Sequence, residues 1–447
     1  MNKFKLSKYV LRDLIVSDSD YISLFNLINK THILLPVEEL KNENFTDIPN
    51  NLNKKAFNIL KNNDFLVLKS IDESEALIKN AIYTSKEEGN GIYFHIYLTL
   101  DCNMNCIYCF ENKEVINVKT ISDEVEGKLL EFIEKKLKNN QFEFLEVIWF
   151  GGEPLLEIDK MLKLNTSLKK IVEKYAVNYS SQISTNGYYL DKLTIDIIKN
   201  LKLTNMTISI DGLKEVHNMR RPHKSSSEVD VYTRIIENIF YMNSILIENK
   251  SDCNITINFI IDMNNYESIL EVIKFLKNKD FFLKNKFIIS FETTKDGKYV
   301  LKVEEIKYLA NIFYKYILKF DLENQMINFF PSNLNVNCAG QLKNAFYVRT
   351  DGLIYKCIHD VTQIKNNQVF NLLTNEEFHF RSQELNQQLE KINDMVCKTC
   401  EILPICFGGC PAINIKNKYT SSNCSIWKYY LTDIISMKSK KMIGGIL

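Results

Sequence analysis

A chain of 447 residues is long enough for two or three domains, because single cores stop growing near ~250–300 residues. Its composition, 45% apolar and 25% charged, is that of a globular protein, and a net charge of +1 gives no whole-chain attraction toward nucleic acid or an anionic membrane. The opening MNKFKLSKYVLRDLIVSDSD has no apolar signal-peptide core and no later run is long enough to span a bilayer. The expectation is therefore a soluble cytoplasmic protein, whose eleven cysteines stay reduced and are better explained by metal than by disulfides.

In chain order, KYVLRDLIV, YISLFNLIN and HILLPVE predict a small antiparallel meander. A helix at LNKKAFNILKNN, a strand at FLVLKS and a helix at DESEALIKNAIY follow. The pattern predicts a winged-helix-like module over residues 1–90, closing at a hinge near Gly89-Asn90-Gly91. DNA binding, the usual use of a winged helix, is disfavoured, because residues 1–90 hold twelve Lys/Arg against thirteen Asp/Glu and lack a basic footprint.

From residue 91 to about 320 the chain alternates. GIYFHIYLTL, FLEVIWF, SSQIST, TNMTISI, CNITINFIID and KFIISFE are short, β-branched and aromatic, and amphipathic helical stretches such as EVEGKLLEFIEKKLKNN and ESILEVIKFLKN lie between them. Six βα repeats predict an α/β fold with a parallel sheet curled into a partial or full barrel, its chemistry at the carboxyl ends of the strands. LDCNMNCIYCFEN follows the first of those strands, so Cys102, Cys106 and Cys109, spaced C-x3-C-x2-C, fall at that end. A closed zinc site would need a fourth ligand at comparable spacing, and no further His or Cys is close in sequence.

The spacing, with Tyr108 before the last cysteine, resembles the radical SAM signature. The resemblance implies a [4Fe-4S] cluster with one iron left for S-adenosylmethionine (SAM), which yields a 5′-deoxyadenosyl radical on one-electron reduction. Later motifs keep the family's order. WFGGEP resembles its GGE element, making Gly151, Gly152 and Glu153 candidates for the methionine ammonium. STNG and SIDG end the third and fourth strands and offer Ser184, Asn186, Ser209 and Asp211. HNMRRP fits an H-x3-R-P run, offering His217 and Arg221. Without the cysteines the Asn-Gly and Asp-Gly pairs would read as ordinary turns, and a solvated His and Arg is the plain alternative for the last pair.

Beyond residue 320 regularity fades and cysteines crowd, which predicts a loop-rich domain over 321–447 held by metal. Cys338 and Cys357 flank Gly352; Cys397, Cys400, Cys406 and Cys410 run C-x2-C-x5-C-x3-C; Cys424 closes the set. This resembles the seven-cysteine SPASM pattern of radical SAM peptide and protein maturases, and implies two auxiliary [4Fe-4S] clusters, three clusters in all. By that resemblance Cys397, Cys400, Cys406 and Cys424 bind the outer cluster, while Cys338, Cys357 and Cys410 bind the inner one and leave an iron for a substrate cysteine. Cys253 remains over, and reads as a small buried hydrophobe.

Sulfatase maturases carry an Asp directly after the cysteine of the G-x4-C element. Here that position is Ile358, which leaves His359 and Asp360 as candidate bases. The N-terminal module resembles the peptide-recognition element of peptide maturases, where a leader adds as a strand to the meander. The resemblance thus implies a maturase of a leader-bearing precursor peptide, supplied by a flavodoxin- or ferredoxin-type reductant and forming a thioether from a cysteine sulfur to carbon. Carbon–carbon or carbon–oxygen crosslinking, epimerisation and sulfatase-maturase-like chemistry are the alternatives. A non-catalytic iron–sulfur electron carrier or redox sensor is the reading of a different class.

Overall fold

The computed structural model describes residues 3–13, 20–39, 52–86, 89–109, 118–291, 301–331, 338–361, 367–392, 396–416, 424–425 and 427–444. At the N-terminus, β1 (Phe4–Leu6) stands apart from a meander of β2 (Val10–Asp13), β3 (Tyr21–Asn26) and β4 (His32–Pro36), and pairs instead with β5 (Leu66–Leu68). The meander is antiparallel, with Val10 opposite Asn26 and Tyr21 opposite Pro36. The central strand β3 is buried on both faces. Ile22 and Leu24 pack with Phe57 and Leu60 of the helix Lys54–Asn62. That helix starts where the Asn53 side chain accepts the Ala56 N–H at 2.9 Å, filling one of the donors a helix end leaves open.

The opposite face of the meander packs on the C-terminal region. Tyr9, Leu11, Phe25 and Leu27, with Ile78 and Ala81 of the helix Glu73–Lys86, form one core with Leu389, Leu403, Ile405, Leu431 and Ile435 of the cysteine-rich C-terminal region. Ser74 Oγ donates to the Lys398 carbonyl at 2.8 Å across this seam. The link at Gly89-Asn90-Gly91 is less free than the hinge expected from sequence. Gly89 has φ +62° in open space, but a Cβ on Gly91 would stand 2.1 Å from the Phe144 ring, so the chain is clamped where the next strand starts.

That strand, β6 (Gly91–Thr99), is joined in sequence order by β7 (Phe144–Gly151), β8 (Asn178–Thr185), β9 (Leu203–Ile210), β10 (Asn254–Ile261) and β11 (Lys286–Phe291), all parallel. These are the six strands expected from sequence. Ser122, Thr194 and Asp230 cap three of the intervening helices by accepting backbone N–H groups three residues on. Because strand side chains alternate, one set (Ile92, Phe94, Ile96; Leu145, Val147, Trp149; Ile183; Met206, Ile208; Ile255, Ile257, Phe259) is buried beneath the helices. Each such aliphatic side chain contributes roughly 1.5–3 kcal/mol on burial. The other set faces a lumen and remains partly exposed. It includes His95, Glu146, Gln182, Ser184, Asn205, Thr207, Ser209 and Asn258. An apolar back and a polar front make the sheet an α/β wall around a wet cleft.

The sheet extends past the barrel. β12 (Ala345–Val348) lies parallel to β6, and β13 (Leu353–Tyr355), β14 (Phe370–Asn371) and β15 (Glu376–Glu377) follow antiparallel. The ten strands run from β11 at one edge to β15 at the other, without a β11–β6 pairing, so the barrel is partial. The cysteine-rich region is thus sewn into the barrel's own sheet. No helix among the described residues is long and apolar enough to cross a membrane.

Candidate active site

The chain leaves β6 into the cysteine loop, which two neighbours hold. On one side the loop pairs with residues 220–224: Asn105 N–H donates to the Pro222 carbonyl (2.9 Å), Ile107 N–H to the Arg220 carbonyl (3.0 Å) and Lys224 N–H to the Asn103 carbonyl (2.7 Å). The HNMRRP run therefore serves as a strand-like splint for the cysteines. On the other side lies the Gly151-Gly152 pair, whose Gly152 and Glu153 N–H groups donate to the Thr99 and Asp101 carbonyls at 2.9 Å. A Cβ on Gly151 (φ +131°) would meet Thr99 O at 2.1 Å, and one on Gly152 would meet Asp101 O at 2.4 Å. Both glycines are required because two backbones touch here. Met104 plugs the loop into the core, while Cys102 and Cys106 stay partly exposed and Cys109 is exposed.

Glu153 is fully buried. Its carboxylate accepts from Leu155 N–H (3.0 Å), Thr185 Oγ (2.7 Å) and Asn186 N–H (2.7 Å), and burial raises its pKa in spite of those donors. Asn186 in turn donates to Asn103 Oδ1 at 2.8 Å and approaches Cys102 Sγ at 3.7 Å. Glu153 thus locks the end of β8 against the loop. The group has no exposed surface. Ser184 and Ser209 are partly exposed on the lumen side of their strands.

A second buried group anchors Tyr108. Its hydroxyl donates to Asp211 Oδ1 (2.9 Å) and accepts from Arg221 Nη1 (2.5 Å). Arg220 joins Asp211 (3.2 Å) to Asp262 (2.6 Å), and its guanidinium lies over the Tyr108 ring at 5.3 Å. His217 is wholly buried. Its Nδ1 accepts the Asp211 N–H at 3.3 Å, and burial with Arg221 and Arg220 alongside drives its pKa down to about 3. Asp211, His217 and Arg221 are all buried, so the plain alternative of a solvated His and Arg does not hold. They lie beneath the cysteine loop and hold it.

The fit of an iron–sulfur group to this loop can be tested on unpaired donors. Asn103 Nδ2, beside Cys102, and Arg221 Nε, whose guanidinium feels the Cys106 thiolate, are buried with no hydrogen-bond partner. Two such N–H groups beside three cysteines suit a cluster rich in acceptor sulfides and net negative charge. The residues present fit the group.

The seven C-terminal cysteines separate into two neighbourhoods. Burial raises the Cys397 and Cys406 thiols, and each is raised further by nearby Cys400 and Cys424. Burial likewise raises Cys338, and pushes Cys357 up to about 12. Cys410 adds to both, and Asp360 and Cys338 also raise Cys357. Among the described residues no three His, Cys, Asp or Glu side chains converge on a single ion. The CFGGC turn at 406–410 takes positive φ at Phe407, Gly408 and Gly409, and Gln388 Nε2 pins it by donating to the Phe407 and Gly409 carbonyls at 2.9 Å.

Asp360, a candidate base from the sequence, is held by structural donors. It is buried in a bidentate ion pair with Arg381 (2.8 and 3.1 Å) and accepts from Asn367 (2.9 Å), so both oxygens are occupied by structural donors. His359 is partly exposed at the start of the short helix Ile358–Val361. Sequence reading missed Asn103, Thr185, Arg220, Asp262, Arg381 and Gln388. The only local signal was the Arg220-Arg221 doublet, and nothing in it says which arginine bridges the two aspartates.

Comparison with known proteins agrees with this geometry. Residues 96–276 match the family described as the Radical SAM superfamily. The cysteine-type anaerobic sulfatase-maturating enzyme of Clostridium novyi (strain NT) is 25% identical over 340 residues, 69% of this chain and 85% of that protein. The radical SAM cyclopropyl synthase TigE of Paramaledivibacter caminithermalis is 23% identical over 295 residues, 59% of this chain and 61% of that one. Among solved structures, anSMEcpe with bound AdoMet superposes with TM-score 0.61 at 19% identity, covering 79% of this chain and 98% of its own. Streptococcus suis SuiB bound to precursor peptide SuiA gives 0.50 at 16% identity, over 95% and 99%. Both structures show the fold.

Proposed function

From a chain that carries a radical SAM domain over residues 96–276, we propose a peptide maturase that forms thioether crosslinks in a leader-bearing precursor peptide. The observation that carries the reading is a polar lumen with a three-cysteine loop at the carboxyl ends of its strands and a second three-cysteine group beside it. Cys102, Cys106 and Cys109 would hold the [4Fe-4S] cluster that binds SAM, with Asn103 and Arg221 as its donors. Cys338, Cys357 and Cys410 would hold an inner auxiliary cluster open to a substrate thiolate, and Cys397, Cys400, Cys406 and Cys424 an outer one. When bound, the SAM cluster supplies a 5′-deoxyadenosyl radical that removes a hydrogen atom from a substrate carbon. A flavodoxin- or ferredoxin-type protein in the reducing cytoplasm would feed it electrons.

The chain's own residues then position the peptide. Ser184, Asn205, Thr207, Ser209 and Asn258 offer hydroxyls and amides to an extended backbone in the lumen. We assign residues 1–90 to leader recognition, 91–320 to the radical SAM core and 321–447 to a SPASM domain. β4 is an edge of the meander whose side chains are mostly half-buried, which suits strand addition by a leader. The seam to Leu403 and Leu431 fixes that edge relative to the inner cysteines.

A sulfatase-maturase-like oxidation of one side chain is the second reading, favoured by the 85% coverage of the Clostridium novyi relative. The test is co-expression with the short open reading frames adjacent to the gene, followed by mass spectrometry. One thioether removes two hydrogen atoms and blocks fragmentation between the joined residues. An unmodified peptide, or a change confined to one residue, overturns the thioether reading.

A further inference from the structure

With Asp360 tied to Arg381, a crosslinking reaction still requires somewhere for a proton to go. On β8, β9 and β10 the lumen side chains between Ser180 and Asn258 are hydroxyls and amides, none of them basic at neutral pH. β6 and β7 differ, presenting Tyr93, His95, Tyr97 and Glu146 to the lumen. Glu146 lies opposite Tyr93 near the amino end and already accepts from Gln182 at 2.8 Å.

His95 lies at the middle of the wall. Four residues separate it from Thr99, roughly 13 Å of strand, above which the cysteine loop begins. Its ring stacks on Tyr347 of β12, its partner in register, with centroids 4.3 Å apart and planes 19° from parallel. Tyr347 is in turn close enough to Cys357 and Cys338 for their thiolates to raise its pKa. β13 runs antiparallel to β12, so Cys357, two residues past Tyr355, returns toward the amino end of β6. His95 therefore lies on the strand that leads into the first cysteine loop, stacked on the neighbouring strand whose hairpin leads to Cys357. Its Nδ1 is buried without a hydrogen-bond partner. Burial drives its pKa down to about 4, so the ring is neutral at neutral pH.

We propose that His95 is the base of the lumen, accepting the proton that the substrate thiol loses as the carbon–sulfur bond closes. The role rests on the thioether reading above. In that step a thiol and a carbon radical become one C–S bond. The S–H bond breaks, its proton goes to the His95 imidazole, and the remaining electron leaves to a one-electron acceptor of the iron–sulfur class. The hydrogen first removed from carbon has already left as 5′-deoxyadenosine.

The test uses the reconstituted full-length enzyme, SAM, dithionite and the adjacent open reading frame's peptide, with His95→Gln and His95→Asn beside wild type. Both variants should keep wild-type iron content, thermal midpoint and peptide affinity, and should form 5′-deoxyadenosine at close to the wild-type rate. Crosslinked peptide should fall by about 100-fold or more, the usual worth of a general base. Crosslinking at the wild-type rate in either variant overturns the inference. Parallel loss of 5′-deoxyadenosine also overturns it, since His95 would then be holding substrate instead of taking a proton. If wild type itself gives 5′-deoxyadenosine but no crosslink, the thioether reading fails first, and separately.

Discussion

At the scale of single residues, the glycines and buried ionic groups decide the site. Gly152→Ala would press a Cβ to 2.4 Å from the Asp101 carbonyl, and the only relief is to push the cysteine loop outward. The expected outcome is loss of iron from the SAM site and of 5′-deoxyadenosine, read by iron analysis and chromatography, with the fold kept by circular dichroism. His217 carries a pH prediction. Its folded pKa of about 3 lies below its ordinary 6.5, so its contribution is complete above pH 6.5 and is lost as pH falls from 6.5 toward 3. The slope is at most about 1.4 kcal/mol per pH unit. Urea midpoints should therefore drop between pH 7 and pH 5 in wild type, and drop less in His217→Gln. The cysteines, Gly151, Gly152 and Asn186 were legible in sequence because motif spacing records backbone geometry. The supporting role of Glu153, Asp211 and His217 was not, because burial depends on which strands become neighbours.

At the scale of elements, the cysteine loop is a strand-like segment splinted by residues 220–224 and clamped by the Tyr108–Asp211–Arg220–Asp262 cluster. Asp211→Asn removes one partner of a buried ionic network, and such losses cost about 3–5 kcal/mol. The variant should unfold at lower urea and bind iron more weakly at the loop, whereas an exposed substitution such as Glu215→Gln should do neither. The six βα repeats were visible because amphipathic period is local. The continuation of their sheet into β12 was not, since four residues, AFYV, carry no sign of pairing with GIYFHIYLT some 250 residues earlier. A domain boundary drawn at 320 on composition alone therefore runs just before a segment that joins the barrel.

At the scale of the whole molecule, the N-terminal module and the cysteine-rich region share a core, so the two are mechanically linked. Leu403 is buried in that seam, and Leu403→Ala should cost about 2–5 kcal/mol, measured by urea unfolding of the iron-free chain. The meander was legible from its alternation, but its docking partner was not, because an apolar face does not say what covers it. Under the proposed function these elements serve one lumen, where a radical formed at one cysteine group would meet a thiol beside the other. The most direct measurement is to supply a precursor peptide deuterated on its carbon-bound core positions and analyse the 5′-deoxyadenosine formed. The account predicts deuterium in the 5′-deoxyadenosine in step with crosslinked peptide. Fully protiated 5′-deoxyadenosine alongside unmodified peptide would contradict it.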